Sequence, residues 1–81
     1  MLFAYTERFQ RSYQLAPAAV QRALAKQIRF LEADLRHPSL RAKKYDASRD
    51  IWQARVDRTW RFYFRIEGDV CVVLDVIPHP K

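Results

Sequence analysis

Hydrophobic and polar side chains alternate along residues 51–66, and this alternation is the clearest pattern in the chain. Successive side chains of a strand point to opposite faces of a sheet, so the pattern predicts two strands with one buried and one exposed face. The side chains predicted to face the core are Trp52, Ala54, Val56, Trp60, Phe62, Phe64 and Ile66. Those predicted to face outward are Gln53, Arg55, Arg61, Tyr63 and Arg65. The exposed face is therefore expected to be rich in arginine.

A second pattern lies upstream, where large aliphatic side chains recur every three or four positions. This is the spacing of one buried stripe along a helix. The stripe consists of Val20, Leu24, Ile28, Leu31 and Leu35. Proline is tolerated in a first helical turn, and the residue before a proline avoids helical geometry. The helix is therefore predicted to begin near Pro17 and to end at His37-Pro38.

Shorter elements complete the predicted fold. Thr6 can cap a helix with its side-chain oxygen, and Glu67-Gly68-Asp69 is typical of a tight hairpin turn. The predicted ranges are a short helix over Glu7–Tyr13 and strands over Met1–Tyr5, Lys43–Asp46, Ile51–Val56, Trp60–Ile66 and Val70–Ile77. Consecutive strands joined by short turns pair antiparallel, and helices cover one face of such a sheet. The predicted class is α+β, in the order β-α-α followed by three or four strands, with both N-terminal helices on one face of a mainly antiparallel sheet.

The length and composition are those of one small domain. With 81 residues, of which 49% are hydrophobic and one is glycine, the chain is expected to fold as a single domain over residues 1–81. Its one cysteine, Cys71, allows no disulfide framework and fits a reducing cytoplasm. No apolar stretch approaches the roughly 20 residues that span a bilayer, so no membrane segment is expected.

Positive charge is concentrated in one segment of the chain, residues 41–65. The formal net charge is +6, and residues 41–65 hold eight lysines or arginines against three aspartates. Such an excess favours a nucleic acid, an acidic protein or an anionic lipid as partner, and an arginine-bearing sheet makes RNA the first candidate. No His, Cys or carboxylate cluster has metal-ligand spacing, and no glycine-rich loop could hold a nucleotide, so neither a metal nor another cofactor is expected.

Three short motifs accompany the predicted order of elements. They are His37-Pro38-Ser39-Leu40-Arg41-Ala42-Lys43-Lys44-Tyr45, the strand Ile51-Trp52-Gln53-Ala54-Arg55-Val56 and the strand Trp60-Arg61-Phe62. Together they resemble the RelE/ParE superfamily of bacterial toxins, and the resemblance covers nearly the whole chain. It implies a RelE/ParE-like fold. RelE-type members cut messenger RNA on the ribosome and ParE-type members inhibit DNA gyrase, and both types are neutralised by an antitoxin usually encoded beside them.

The resemblance also implies a set of site residues on the exposed sheet face. Arg61 matches an arginine that stabilises phosphate, and Arg55 matches a basic position on the preceding strand. Gln53 stands where a lysine is frequent, and His79 matches a histidine that follows the last strand. The acidic residue and the tyrosine that often follow this histidine do not occur before Lys81. This departure leaves open a reduced catalytic set or a truncation after Lys81.

Cleavage of RNA through its 2′-hydroxyl needs a base, stabilisation of the phosphorane charge and a proton for the departing 5′-oxygen. Arginines can meet the second need but remain protonated, so among the candidates only His79 exchanges a proton near neutral pH. We therefore predict catalytic roles for Arg55, Arg61 and His79. The competing interpretations are that the arginines merely solvate an open sheet face and that His79 belongs to a terminal tail without a role.

Five further residues are expected to bind RNA without taking part in the chemistry. They are Lys43, Lys44, Arg58, Tyr63 and Arg65. Contacts from lysine and arginine to phosphate position a strand, and a tyrosine ring can stack on an unpaired base. Tyrosine is also a common strand residue with no further role.

The resulting prediction is a cytoplasmic toxin of a type II toxin-antitoxin system, acting as a metal-independent, ribosome-dependent endoribonuclease that cleaves messenger RNA. One alternative is a ParE-like gyrase inhibitor without nuclease activity. Another is a catalytically decayed protein that only binds its antitoxin. The expected partners are messenger RNA, the ribosome and an antitoxin whose acidic, partly amphipathic segment covers the basic face in a hetero-oligomer.

Overall fold

The computed structural model describes residues 1–79 and contains five strands, two α-helices and one 3₁₀ helix over that range. In chain order these are β1 (Leu2–Tyr5), α1 (Glu7–Leu15), α2 (Ala18–Ala33), the 3₁₀ helix (Pro38–Leu40), β2 (Lys43–Asp46), β3 (Ile51–Arg55), β4 (Trp60–Glu67) and β5 (Val70–Pro78). The strands form one sheet in the order β1-β5-β4-β3-β2, in which β1 is parallel to β5 and the other neighbours are antiparallel. The predicted fold class and element order are confirmed. No helix within residues 1–79 is long and apolar enough to cross a membrane.

The core lies between the two α-helices and one face of the sheet. Its sheet side includes Ala54, Val56, Phe62, Phe64, Cys71, Val73 and Val76, and its helix side includes Phe9, Val20, Leu24 and Leu31. Phe62 and Phe64 are fully buried with ring centroids 5.6 Å apart. Burying one such side chain stabilises a fold by about 1.5–3 kcal/mol. The predicted core face of β3 and β4 is confirmed, with Trp52 and Trp60 partly buried at its margin.

Helix α1 begins at the predicted cap and ends two residues later than predicted, at Leu15 instead of Tyr13. Thr6 Oγ1 accepts a hydrogen bond from the Phe9 N–H at 3.0 Å and donates one to the Leu74 carbonyl at 2.8 Å. One hydroxyl group therefore caps the helix and also fastens it to β5.

Helix α2 ends at Ala33, so the prediction that it continues to His37-Pro38 is wrong. Asp34 is extended, and its carboxylate accepts a hydrogen bond from the Arg36 N–H at 2.9 Å. Such local bonding of an aspartate side chain to the backbone competes with helix geometry. Leu35 consequently packs against the core from a connecting segment and not from the helical stripe.

A β-bulge in β5 changes the face that its last residues occupy. Tyr63 pairs with Asp75, but the next residue of β4 pairs with Val73, which leaves Leu74 as the extra residue. An extra residue in one strand shifts the alternation of its side chains. Asp75 therefore lies on the outer face with Tyr63, whereas Val73 is fully buried in the core, and the Asp75 carboxylate pairs with Arg8 Nε at 3.1 Å.

Candidate functional site

Arg55 and Arg61 lie directly opposite each other on β3 and β4. Their guanidinium groups share one acceptor, because Arg55 Nε and Arg61 Nη1 donate to the Asp57 carbonyl at 3.2 Å and 2.7 Å. Arg61 Nη1 also donates to the Trp60 carbonyl at 2.9 Å. Among the residues that the structure describes, no carboxylate forms an ion pair with either arginine. Like charges placed opposite each other destabilise a sheet, so this arginine pair is costly unless an anion binds to it.

A cleft of about 210 Å³ lies at the arginine pair and is hereafter called the arginine cleft. Its polar lining consists of Arg41, Lys43, Gln53, Arg55, Arg61 and His79. The structure thus brings the three side chains predicted as catalytic to one place. His79 is exposed, and its backbone N–H donates to the Thr59 carbonyl at 2.6 Å, which continues the pairing of β4 with β5 beyond Pro78.

Of the five residues predicted to bind RNA, Lys43 lines the arginine cleft and Lys44 does not. Adjacent residues of a strand face opposite sides of the sheet, and Lys44 consequently lies on the other side of β2. Its ammonium group pairs with the Asp50 carboxylate and lies 5.1 Å from the centre of the Trp52 ring. The structure therefore separates Lys44 from Lys43, although both are predicted to bind RNA.

Arg58 and Arg65 occupy different surroundings. Arg58 is exposed in the turn between β3 and β4 and lines a second cleft that adjoins the arginine cleft. Arg65 lies farther along β4, opposite Val72, and its Nε is 3.8 Å from a Glu67 carboxylate oxygen. Arg65 is exposed as predicted but does not line the arginine cleft.

Tyr63 is on the outer face, but the prediction that its ring is exposed is wrong, since only 8% of the residue is accessible. The ring of Tyr45 packs edge-on against it, with centroids 4.9 Å apart. Burial and, secondarily, the neighbouring Tyr45 raise the pKa of the Tyr63 hydroxyl. Gln53 is similarly covered, at 6% accessibility, between Lys43 and Tyr63 on the adjacent strands. Tyr45, in contrast, is 58% exposed.

Gln27 contributes to the site although the sequence pattern does not single it out. It is 4% accessible on α2 and donates from Nε2 to the carbonyls of Ser39 and Arg55 at 3.0 Å and 2.8 Å. Its Oε1 accepts a hydrogen bond from Ser39 Oγ at 3.0 Å. The buried amide therefore joins α2 to the 3₁₀ helix and to the end of β3. The sequence does contain one signal for this role, because Gln27 has the spacing of the buried stripe that includes Leu24 and Leu31.

Arg41 is the second residue that the sequence analysis missed. It follows the 3₁₀ helix in the left-handed conformation, with φ 45° and ψ 44°. A residue other than glycine is strained there by about 1–2 kcal/mol. Arg41 lines both the arginine cleft and the cleft beside Arg58. Its position depends on backbone geometry that no spacing of residue types reveals.

The arrangement can bind and polarise a phosphodiester. Two fixed guanidinium groups present N–H donors toward an anion, and Lys43 adds a third positive charge. His79 adds an imidazole, the side chain that most often serves in general acid–base catalysis. Among residues 1–79 no three or more His, Cys, Asp or Glu side chains are grouped so that they could hold a metal ion.

Comparison with known proteins gives structural matches. No family model and no curated sequence matches the chain. The YoeB/ParE toxin from Agrobacterium tumefaciens superimposes with a TM-score of 0.82 at 17% identity, covering 99% of this chain and 100% of the toxin. YafQ from E. coli matches with a TM-score of 0.79 at 12% identity, covering 95% of this chain and 91% of YafQ. The archaeal RelE–RelB complex from Pyrococcus horikoshii contains a chain that matches with a TM-score of 0.76 at 17% identity. The match covers 95% of this chain and 92% of the archaeal one.

Proposed function

Because the chain has the fold of the YoeB/ParE, YafQ and RelE toxins, we propose that it is the cytoplasmic toxin of a type II toxin-antitoxin system and a ribosome-dependent endoribonuclease acting on messenger RNA. The observation that carries this proposal is the opposed pair of Arg55 and Arg61 at a cleft that also contains Lys43 and His79. Within residues 1–79 no carboxylate forms an ion pair with either arginine, and placing two arginines opposite each other is explained if they bind the phosphate of a substrate.

The arginine pair stabilises the negative charge that develops on the phosphate during the reaction. Attack of a ribose 2′-oxygen on the neighbouring phosphorus produces a phosphorane that carries more negative charge than the substrate. Arg61 is already hydrogen-bonded to two backbone carbonyls and Arg55 to one of them, so neither guanidinium group must reorganise as this charge develops. Donors fixed in advance stabilise a transition state more than donors that must be ordered during the reaction.

His79 is assigned to proton transfer. The bond between the 2′-oxygen and phosphorus forms as the bond to the 5′-oxygen breaks, giving a 2′,3′-cyclic phosphate and a 5′-hydroxyl end. The 2′-hydroxyl loses a proton and the 5′-oxygen gains one, and histidine is the lining residue type suited to such an exchange. The hydrogen bond from the His79 backbone to Thr59 fixes where this residue leaves the sheet.

The test is primer extension on cellular messenger RNA after brief induction, repeated with purified ribosomes. Wild type and the Arg29→Ala control, which removes an exposed arginine of α2 away from the cleft, are expected to produce cuts within codons. Loss of one preorganised donor typically lowers a rate by about 10²–10³-fold, and we expect this of Arg61→Ala. Cleavage by Arg61→Ala at the wild-type rate would refute the role of the arginine. Wild-type cleavage by His79→Gln would remove His79 from the chemistry.

Inhibition of DNA gyrase is the second candidate function. The observation in its favour is Gln53, a buried amide where RelE-type toxins frequently carry a lysine, so that the arginine cleft contains one cation fewer. Growth arrest with DNA damage signalling but without new cuts in messenger RNA would support this candidate. Absence of growth arrest would instead indicate a decayed toxin that retains only antitoxin binding.

An antitoxin is the proposed protein partner, in a hetero-oligomer. Arg41, Lys43, Arg55 and Arg61 line the arginine cleft and form no ion pair with another residue of 1–79. An acidic segment laid across the cleft would both neutralise their charge and block access. Co-expression of the protein encoded beside this one is expected to restore growth and to yield a complex that weakens as salt concentration rises. Unchanged growth arrest on co-expression would contradict this pairing.

A further inference from the structure

A second basic cleft, of about 490 Å³, lies between α2, the 3₁₀ helix and the turn that joins β3 to β4. Its charged lining consists of Lys26, Arg41, Arg55, Asp57 and Arg58. Arg41 and Arg55 also line the arginine cleft. The two clefts therefore form one continuous cationic path that crosses the end of β3.

The second cleft carries an excess of positive charge that the described part of the chain does not neutralise. Within residues 1–79, none of its four cations forms an ion pair. Its lining carboxylate, on Asp57, already accepts hydrogen bonds from the N–H groups of Thr59 and Trp60, both at 2.9 Å. The potential in this cleft therefore favours an anion.

The walls of the second cleft are held in place by buried hydrogen bonds. Gln27 lines the cleft and fixes the carbonyls of Ser39 and Arg55, so that the 3₁₀ helix and the end of β3 keep a constant separation from α2. Arg41 occupies its strained left-handed conformation directly after this fixed segment. Strain of this kind persists only where the surrounding structure enforces it, and it is enriched at binding sites.

We propose that the second cleft binds a further phosphate of the RNA strand whose scissile phosphate lies at the Arg55–Arg61 pair, an inference that rests on the function proposed above. Lys26 and Arg58 contact this further phosphate, while Arg41 and Arg55 lie between the two phosphates. The strand therefore runs from the arginine cleft toward α2. This path selects single-stranded RNA long enough to present at least two internal phosphates.

The test is fluorescence anisotropy with the full chain and 2′-O-methylated single-stranded RNA, which lacks the attacking hydroxyl. A hexanucleotide and a dinucleotide, which has one internal phosphate, are titrated at several salt concentrations. Lys26→Ala and Arg58→Ala are each expected to weaken hexanucleotide binding about threefold to fivefold. Each is also expected to reduce the salt slope by about 0.7, the value for one lost contact to a single strand. Dinucleotide affinity is expected to remain unchanged.

Two control variants test whether a loss of hexanucleotide binding is specific to the second cleft. Arg29→Ala removes a cation from the same helix outside the cleft and is expected to retain wild-type affinity and slope. Lys26→Arg keeps the charge and is expected to retain hexanucleotide binding. Equal behaviour of Lys26→Ala, Arg58→Ala and Arg29→Ala, whether all unchanged or all weakened, would overturn the second phosphate site.

Failure of the inference can be distinguished from failure of the proposed function. Wild-type cleavage of messenger RNA with no dependence of binding on Lys26 or Arg58 would overturn the second phosphate site alone. Hexanucleotide binding that depends on Lys26 and Arg58, without any cleavage by the wild type, would support the site and overturn the ribonuclease. Absence of both hexanucleotide binding and messenger RNA cleavage by the wild type would overturn both.

Discussion

Gln27→Met tests the buried amide network that holds the site together. Methionine has a similar volume and similar helix propensity, so the substitution mainly removes hydrogen bonds and preserves packing. Gln27 makes three of them, two to the carbonyls of Ser39 and Arg55 and one from Ser39 Oγ. Each contributes a net 0.5–1.5 kcal/mol, so we expect the free energy of unfolding to fall by about 3 kcal/mol.

A matched control lies on the same helix. Gln21 is only half-buried and donates one hydrogen bond, to the Tyr13 carbonyl at 2.7 Å. Gln21→Met is therefore expected to lower the free energy of unfolding by about 1 kcal/mol. The expected difference between the variants, about 2 kcal/mol, separates the network from the general effect of replacing a glutamine in α2.

Urea unfolding followed by circular dichroism measures the difference. With a slope of roughly 1.5 kcal/mol per M, the midpoint for Gln27→Met is expected about 2 M below that of wild type, with the slope unchanged. The midpoint for Gln21→Met should be lowered by less than about 1 M. Equal midpoints for the two variants would refute the conclusion that Gln27 fastens the 3₁₀ helix and β3 to α2.

Two further predictions concern neighbouring lysines and the thiol. Lys43→Ala is expected to weaken RNA binding and Lys44→Ala to leave it unchanged, because Lys43 lines the arginine cleft and Lys44 does not. Equal losses of affinity in anisotropy titrations would contradict the faces of β2 to which the two lysines are assigned. Burial raises the pKa of the Cys71 thiol from its ordinary value of 9.0 to about 11, so the neutral thiol is favoured in the folded state. This contribution to stability is present below pH 9.0 and is lost as the pH rises toward about 11, and Cys71→Ala should lack that alkaline loss in urea titrations. A loss of the same size in Cys71→Ala would assign it to other groups.

The strands and their core face could be predicted from sequence because alternation directly reports which side chains share a face. Alternation also predicted that Arg55 and Arg61 share the exposed face, whereas their direct pairing is a finding of the structure. Alternation does not report what covers a face. Tyr63 and Gln53 point outward as predicted but are buried, because the edge strand β2 lays Tyr45 and Lys43 beside them.

The remaining differences between prediction and structure arise where local backbone geometry interrupts the regular spacing of buried side chains. Simple alternation from Val73 would place Asp75 in the core, but the extra residue Leu74 in β5 moves it to the outer face, where it pairs with Arg8. Helix α2 ends at Ala33 although the aliphatic spacing continues to Leu35, because a bond from the Arg36 N–H to Asp34 replaces a helical one. Bulges, side-chain turns and left-handed residues depend on local backbone dihedral angles that residue spacing does not encode.

The parallel pairing of β1 with β5 has a consequence for synthesis of the protein. Strand β1 lies at the edge of the sheet and pairs with β5, with Leu2 opposite Val70. It therefore cannot join the sheet until β5 has been synthesised. Without β5 the nascent chain also lacks Cys71, Val73 and Val76 from its core. Contacts between segments that are far apart in sequence slow folding. A protein proposed to attack ribosome-bound message would therefore complete the sheet that carries its cleft only after β5 has been synthesised.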